Sequence, residues 1–516
     1  MIETDGDRVV DFIKREIGKP EGKTRVFFDK EYTPVDVSAL IVSRLIKMAE
    51  EQGEDVTDIV ITCPAYFGLA ERNATRQAGE LALKICQEEK AKADPSYEPK
   101  PVKVLDIINE PTAAALSYCA RQFQEEKTIM VYDLGGGTFD VTLLKMASGE
   151  DDRQNMTVLA TGGNDQLGGK DWDQILYNYL EDACCTENGL TPEDLEPETR
   201  QAIRSKVEQT KRKLSNQESV KVNIAVNGAM TKVIVSREEF ERSTAGLVKQ
   251  TMDYVEKVLK DAGNPELDLV LLVGGSTFMP MISKAVKDRF AGIQVIQHEP
   301  NLAVAKGAAL LAVMEVTSDT VPGPGPEPGP EQGGDPGPEP GHDSDTKQTD
   351  APGVVPPIKL VDQLPRSFGP GVLNEQDEYV IDNLVKKGDK VPEKADRIYY
   401  TPRENMTLIR LKVFESMSLL DMTVPCEDGT GKPGEGNPML CDPADMVRCL
   451  GALELGLQPG TPAGSPIQVF FEVDLMGIYV RAVDMSTGHD NEVTIKFINE
   501  QDPEKSPIKG LRVVGE

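Results

Sequence analysis

A chain of 516 residues is too long for one ordinary core, and about three domains are expected. Its 56 basic and 86 acidic residues leave a formal charge of −30, which repels phosphate backbones and excludes nucleic acid as the expected partner. No run approaches the roughly 18 apolar residues of a membrane span, Met1-Ile2-Glu3-Thr4-Asp5 is no signal peptide, and the eight cysteines form no Cys-x-x-Cys pair, so a cytoplasmic chain with reduced thiols, no zinc and no membrane partner is expected.

In chain order, Val9 to Gly18 reads as a short helix ending at a glycine, and Val37 to about Gln52 as a longer one behind Pro34. Val56 to Thr62, closed by Pro64, reads as a buried parallel strand. A helix Leu69 to Cys86, a strand Val102 to Ile108 and a helix from Pro111 follow. Strand alternating with helix argues for an α/β domain. Further on come strands Thr128 to Tyr132 and Val141 to Leu144, a helix from Asp171, a charged helix Glu198 to Leu214, and strands Val220 to Val226 and Met230 to Val235. A helix Arg237 to Ala262, a strand Leu267 to Val273, a helix from Pro280 and a small-residue helix Ala303 to Val316 complete the first part. Residues 321–353 repeat Pro-Gly-Pro-Glu with hardly any apolar side chain, which reads as a solvated spacer. From Ile358 onward short alternating runs predominate (397–401, 408–414, 467–473 and 478–483, with 383–392 and 492–497 weaker), as in a β-sandwich. Residues 416–450, with three of the cysteines, read as a loop-like insertion.

The most informative stretch is Asp133-Leu134-Gly135-Gly136-Gly137-Thr138-Phe139-Asp140, between two strands. Without side chains at three successive positions, N–H groups can turn inward as an anion cradle, with the Thr138 hydroxyl beside it. Asp133 offers a carboxylate to a hydrated divalent cation. A plain hairpin is the alternative, but the loop is longer than a hairpin needs and carries an aspartate on each flank. Gly274-Gly275-Ser276 sits at a strand-to-helix turn, where a flat ligand can lie on backbone or where the chain simply turns tightly. Glu208, Lys211, Arg212 and Ser215 share one helical face, as a binding wall or as a solvated face of ion pairs. Glu110, ending an apolar strand before Pro111, is placed to orient a water or to cap a helix.

Taken together these stretches resemble the heat-shock-protein-70 family of DnaK-type chaperones. The resemblance rests on Val60 to Phe67, Ile108 to Ala115, Asp133 to Asp140, Leu167-Gly168-Gly169, Glu208 to Ser215 and Leu272 to Thr277, in the family's order across more than 200 residues. It implies an α/β actin-like two-lobed ATPase domain, N-terminally incomplete, followed by a β-sandwich peptide-binding domain. The divisions would be 1–316 for nucleotide, 317–357 for the acidic spacer, and 358–516 for linker and sandwich. It further implies ATP or ADP with Mg²⁺ as ligands. Lys14, Glu110, Asp133 and Thr138 would be catalytic, with Asp133 holding the metal through water. Gly135, Gly136, Gly137, Thr138 and Asp140 would meet phosphate, with Arg72 nearby. Glu208, Lys211, Arg212 and Ser215 would form the adenosine wall, faced by Gly274, Gly275, Ser276 and Phe278, with Asn301 in an interlobe segment.

Ile358 to Asp362 resembles the interdomain linker, and Leu373, Tyr399, Ile409 and Leu411 fall where the family lines its groove for extended apolar peptides. Each of these four could equally be plain core. Unfolded polypeptides would be the partners, with J-domain and exchange-factor co-chaperones. Several departures bear on activity. Against the family pattern, the first phosphate hairpin before Lys14 and the helical lid after the sandwich are expected to be missing, Phe278 would replace a stacking arginine and Asn301 an aspartate, and Lys359 would interrupt the linker. The expected function is therefore an ATP-dependent chaperone, with a non-hydrolysing holdase as the alternative and a sugar kinase of the actin-like superfamily a distant third.

Overall fold

The computed structural model describes residues 9–19, 22–119, 126–148, 154–320, 358–373, 379–416, 422–423, 447–475 and 477–495. The acidic spacer and most of 416–450, with Cys426 and Cys441, lie outside them.

The expected helix over Val9–Gly18 is only one 3₁₀ turn, Ile13–Arg15. Ile13 and Ile17 are both buried at helical spacing, but Phe12 takes a left-handed φ of 51° immediately before the turn. A short hairpin of β1 (Arg25–Phe27) and β2 (Lys30–Tyr32) follows. It was illegible because its turn runs through Phe28 and Asp29, both at positive φ without a glycine. Helix α1 (Pro34–Glu50) starts at a capping box in which Thr33 and Asp36 exchange hydrogen bonds of 3.2 and 2.9 Å, with Pro34 at the first helical position. Next come β3 (Asp58–Cys63), α2 (Leu69–Ala93), β4 (Lys103–Asn109) and α3 (Glu110–Cys119), with β3 and β4 paired in parallel.

Strands β5 (Lys127–Leu134), β6 (Phe139–Ser148) and β7 (Gln154–Asn164) form an antiparallel meander. Helices α4 (Gly169–Asn188) and α5 (Pro197–Leu214), the hairpin β8 (Ser219–Val226) and β9 (Ala229–Ser236), and α6 (Arg237–Asp261) pack around Trp172, Ile203 and Val255 in one core. Then β10 (Leu269–Val273), α7 (Pro280–Arg289), β11 (Gln294–Gln297) and α8 (Ala303–Thr320) close this part. Segment β12 (Ile358–Val361) returns to pair in parallel with β7, giving a six-stranded mixed sheet in the order β11-β10-β5-β6-β7-β12.

Beyond it lie β13 (Ser367–Leu373), β14 (Tyr379–Ile381), β15 (Glu393–Tyr400), β16 (Leu408–Ser416), β17 (Met422–Thr423), β18 (Arg448–Gly456), β19 (Pro466–Val473), β20 (Ile478–Asp484) and β21 (Asp490–Ile495). They form a five-stranded sheet, β17-β14-β13-β16-β18, and a four-stranded one, β15-β19-β20-β21. Phe368, Val413 and Leu453 from the first share one core with Val469, Phe471 and Val480 from the second. Two expectations are corrected here. Residues 383–392 form no strand, only isolated bridges at Val385 and Lys390. The end of the supposed 416–450 loop is the start of β18, whose Gly451 interrupts the apolar alternation that would have announced it.

This C-terminal part rests on the first. Leu69 of α2 belongs to the same core as Phe368. Arg366 lies between Glu415 at 3.0 Å and Glu71 at 3.6 Å, all three buried. Asn109 donates to both Asp362 oxygens, at 2.8 and 3.0 Å, and Arg448 donates to the Gly18 carbonyl at 3.1 Å.

Candidate functional site

Strands β5 and β6 pair Asp133 directly with Asp140 and leave Gly135 to Thr138 as the connecting loop. Each carbonyl in that loop is taken. Gly135 O accepts from the Gly169 N–H at 3.0 Å and the Ser276 hydroxyl at 2.8 Å, and Gly136 O from the Lys170 N–H at 2.8 Å. Gly137 O accepts from Arg15 Nε at 2.7 Å, and Thr138 O from the Gly135 N–H at 3.0 Å. The N–H groups of Gly136, Gly137 and Thr138 meet no acceptor among the described residues. Carbonyls turned to protein and amides left over make a ready anion cradle.

Two glycines set its shape. Gly168 lies so close to the loop that an added Cβ would sit 2.5 Å from Gly137 C, and only a bare α-carbon allows this approach. Gly274, at φ +84°, lies against Leu134, where a Cβ would come within 2.3 Å of its carbonyl oxygen. Beside it, Asn301 Oδ1 lies 3.0 Å from where a Cβ on Gly275 would stand.

The charged groups form one cluster. Lys14 Nζ pairs with the Glu110 carboxylate, which α3 presents at its first residue. Asp133 and Asp140 are buried, and the Ala65 N–H donates to Asp140 at 2.9 Å. Burial first, then Glu110, pushes the Asp133 carboxyl up to about 7, against the pull of Lys14. Asp140 is raised well above the ordinary range by burial, then by Glu110 and Asp133, against Lys14 and the Ala65 N–H. Lys14 is held above its usual value because Glu110, Asp140 and Asp133 together outweigh its desolvation. Glu110, Asp133 and Asp140 outnumber Lys14; among the described residues no three such groups are placed to ligate a metal directly, so the site fits Mg²⁺ only as a hydrated ion held through water at Asp133.

The remaining expected residues divide. Lys211 reaches into this region, donating to Gly169 O at 2.9 Å and Asp173 at 2.8 Å. Ser215 is the C-cap of α5, its hydroxyl 3.5 Å from Lys211 O. Glu208 and Arg212 form an exposed pair at 2.6 Å, as a solvated face would. Phe278 and Asn301 are exposed. Arg72 is fully enclosed and donates to Ile107 O at 3.3 Å and to the Asn109 side chain, so a phosphate contact would require it to leave both. In the C-terminal part, Leu411 is buried in the shared core and Tyr399 and Ile409 pack on it; Leu373, half-buried at the end of β13, is not part of that cluster.

Sequence reasoning missed Arg15 and Phe12. Arg15 also pairs with Asp171 at 2.9 Å, tying the first turn to α4. Phe12 packs against Gly137, and the Lys170 ammonium lies 4.3 Å from its ring centroid. The only signal was their adjacency to Lys14.

The family model described as Hsp70 protein matches residues 9–321, more than half of the chain. The chain belongs to the Hsp70 family. Hsp70 proteins are ATP-dependent chaperones whose nucleotide-binding domain has the actin-like α/β fold, and they bind ATP or ADP with Mg²⁺. As a class they hydrolyse ATP and act on unfolded polypeptides together with co-chaperones. The mixed six-stranded sheet and the glycine loop both lie within the matched Hsp70 segment.

Proposed function

We propose that this chain couples ATP binding at the Gly135–Thr138 loop to the capture of extended apolar peptide segments by its C-terminal β-sandwich. The observation that carries the reading is the set of N–H groups at Gly136, Gly137 and Thr138 that have no acceptor among the described residues, beside the Lys14–Glu110 pair. The amides would hold phosphate oxygens, and Lys14 would place positive charge where the transferred phosphoryl gathers negative charge. Glu110 is positioned to orient a water, while Lys211, Ser215 and Gly274 to Ser276 flank the nucleoside. Mg²⁺, when bound near Asp133 through water, would neutralise the excess carboxylate charge. In the second domain Leu373, Tyr399, Ile409 and Leu411 are the proposed groove residues, and J-domain and exchange-factor proteins the proposed co-chaperones. Cys63, Cys86, Cys119, Cys184, Cys185 and Cys449 are free thiols, which suits the cytoplasmic location we propose.

A peptide holdase that does not hydrolyse ATP is the second reading. It is favoured by Arg72, whose guanidinium is engaged by Ile107 and Asn109, and by Phe12 standing against Gly137.

Calorimetric titration of the full chain with ATP and Mg²⁺, beside Gly136→Glu, separates the two. Nothing lies within 4 Å of a Cβ at Gly136, so the variant should fold while its carboxylate occupies the cradle. Saturable binding lost in the variant supports the first reading, and turnover is measured next. A folded chain that binds no ATP overturns it and leaves the holdase.

A further inference from the structure

We propose that the junction between α2, α6 and the C-terminal sheets is a binding site for a small aromatic anion. A cavity of about 280 Å³ opens there, and its wall is composite. Tyr66 comes from the loop before α2, Tyr254 and Lys257 from α6, and Arg366 and Lys387 from the C-terminal part. Clefts shared between domains are favoured places for small ligands.

Counted with Glu415, four cations and four carboxylates cancel at this wall, but they are unevenly placed, with the excess cation at the Lys257–Lys387 end. Arg366 is already engaged by Glu71 and Glu415. Lys19, also in the wall, is paired with Asp165. Lys257 and Lys387 are left with one carboxylate between them, Asp261, and no ion pair among the described residues occupies either ammonium. Lys387 is half-buried, and desolvation together with the neighbouring Lys257 holds its ammonium below the ordinary range. A half-buried ammonium with an exposed one beside it is relieved by an anion, because partial desolvation strengthens its attraction to opposite charge. The rings of Tyr66 and Tyr254 supply flat apolar surface beside this charge, so the group carrying the anion should be aromatic.

The site has a built-in consequence. Its cations come from two different parts of the chain, so the ligand binds the docked arrangement and not the separated one. It therefore stabilises docking in proportion to its occupancy. The proposal stands apart from nucleotide turnover and holds for either reading above.

The test is calorimetric titration of the full chain with naphthalene-2-sulfonate, with and without saturating ADP and Mg²⁺. Saturable binding is expected, not abolished by ADP, at least tenfold weaker for the neutral naphthalene-2-methanol, and at least fivefold weaker in Lys257→Met and in Lys387→Met. Lys257 is exposed on α6, so its variant carries the test even if the Lys387 variant does not fold. Absence of saturable binding, unchanged affinity in both variants, or complete competitive displacement of the probe by ADP or by an apolar peptide would overturn the proposal.

Discussion

At the glycine loop, Glu110, Asp133 and Asp140 outnumber Lys14, and the imbalance is measurable without any ligand. The folded Asp133 carboxyl ionises near 7, whereas its ordinary value is 3.8. Between those values the folded chain keeps a proton that the unfolded chain has lost. Stability from this group is therefore present below about pH 4 and declines as pH rises toward 7, by up to about 1.4 kcal/mol per unit. Calorimetric melting of the nucleotide-free chain should show the decline, and Asp133→Asn should flatten it and raise the melting temperature at pH 7.5. An unchanged slope in the variant would remove Asp133 as its source. Replacing Lys14 by Met should cut ATP turnover on the order of a hundredfold, the usual effect of removing one preorganised charge, while ADP affinity falls far less. Single-turnover hydrolysis beside an ADP titration reads both quantities.

The elements around that loop are held by backbone approach, and Gly274 is the sharpest case. Alanine there would meet the Leu134 carbonyl at 2.3 Å from a backbone at φ +84°. A loss of roughly 2 to 4 kcal/mol is expected on urea unfolding, more than a Gly→Ala change costs in open space. Alanine at Gly189, where nothing lies within 4 Å but φ is +65°, gives the comparison with strain and no clash. The same elements show what a sequence can disclose. The loop, its aspartates, Glu110 and Gly274–Ser276 were legible because glycine and carboxylate at strand ends leave local patterns. The parallel strands were legible as apolar runs. Arg15 was not, because its partners Gly137 and Asp171 lie far along the chain and nothing at Arg15 itself encodes them. Arg72 was expected near the phosphates only because the family resemblance placed it there. The partners it has in the structure, Ile107 and Asn109, appear only once β4 is laid beside α2. In the C-terminal part, β18 escaped notice because glycines dilute its alternation.

Across the whole molecule, the join between the two parts depends on a buried guanidinium. Arg366 neutralises one charge while Glu71 and Glu415 bring two, and burial raises the Glu415 carboxyl with Arg366 opposing. Arg366→Leu should leave both carboxylates buried and unpaired, at a cost of about 3 to 5 kcal/mol. Separation of the parts should yield before either core unfolds. Hydrogen exchange at Lys359 and Leu360 should then accelerate by at least a hundredfold, while exchange in β5 and β10 stays slow. Equal acceleration in all of these strands would instead mean global destabilisation.

Strand β12 occupies the outer place beside β7, and the chain from Thr320 to Ile358 is its covalent tether. When β12 leaves, β7 becomes an open edge whose unpaired amides accept any strand of suitable register. The best-matched strand available to it belongs to another copy of the same chain, delivered on a tether with a covalent reach of roughly 130 Å. Reciprocal exchange would bury both edges and create an intertwined dimer without one new contact being invented. Conditions that loosen the Arg366 junction should thus produce domain-swapped dimers, visible by light scattering after size exclusion and slow to revert on dilution.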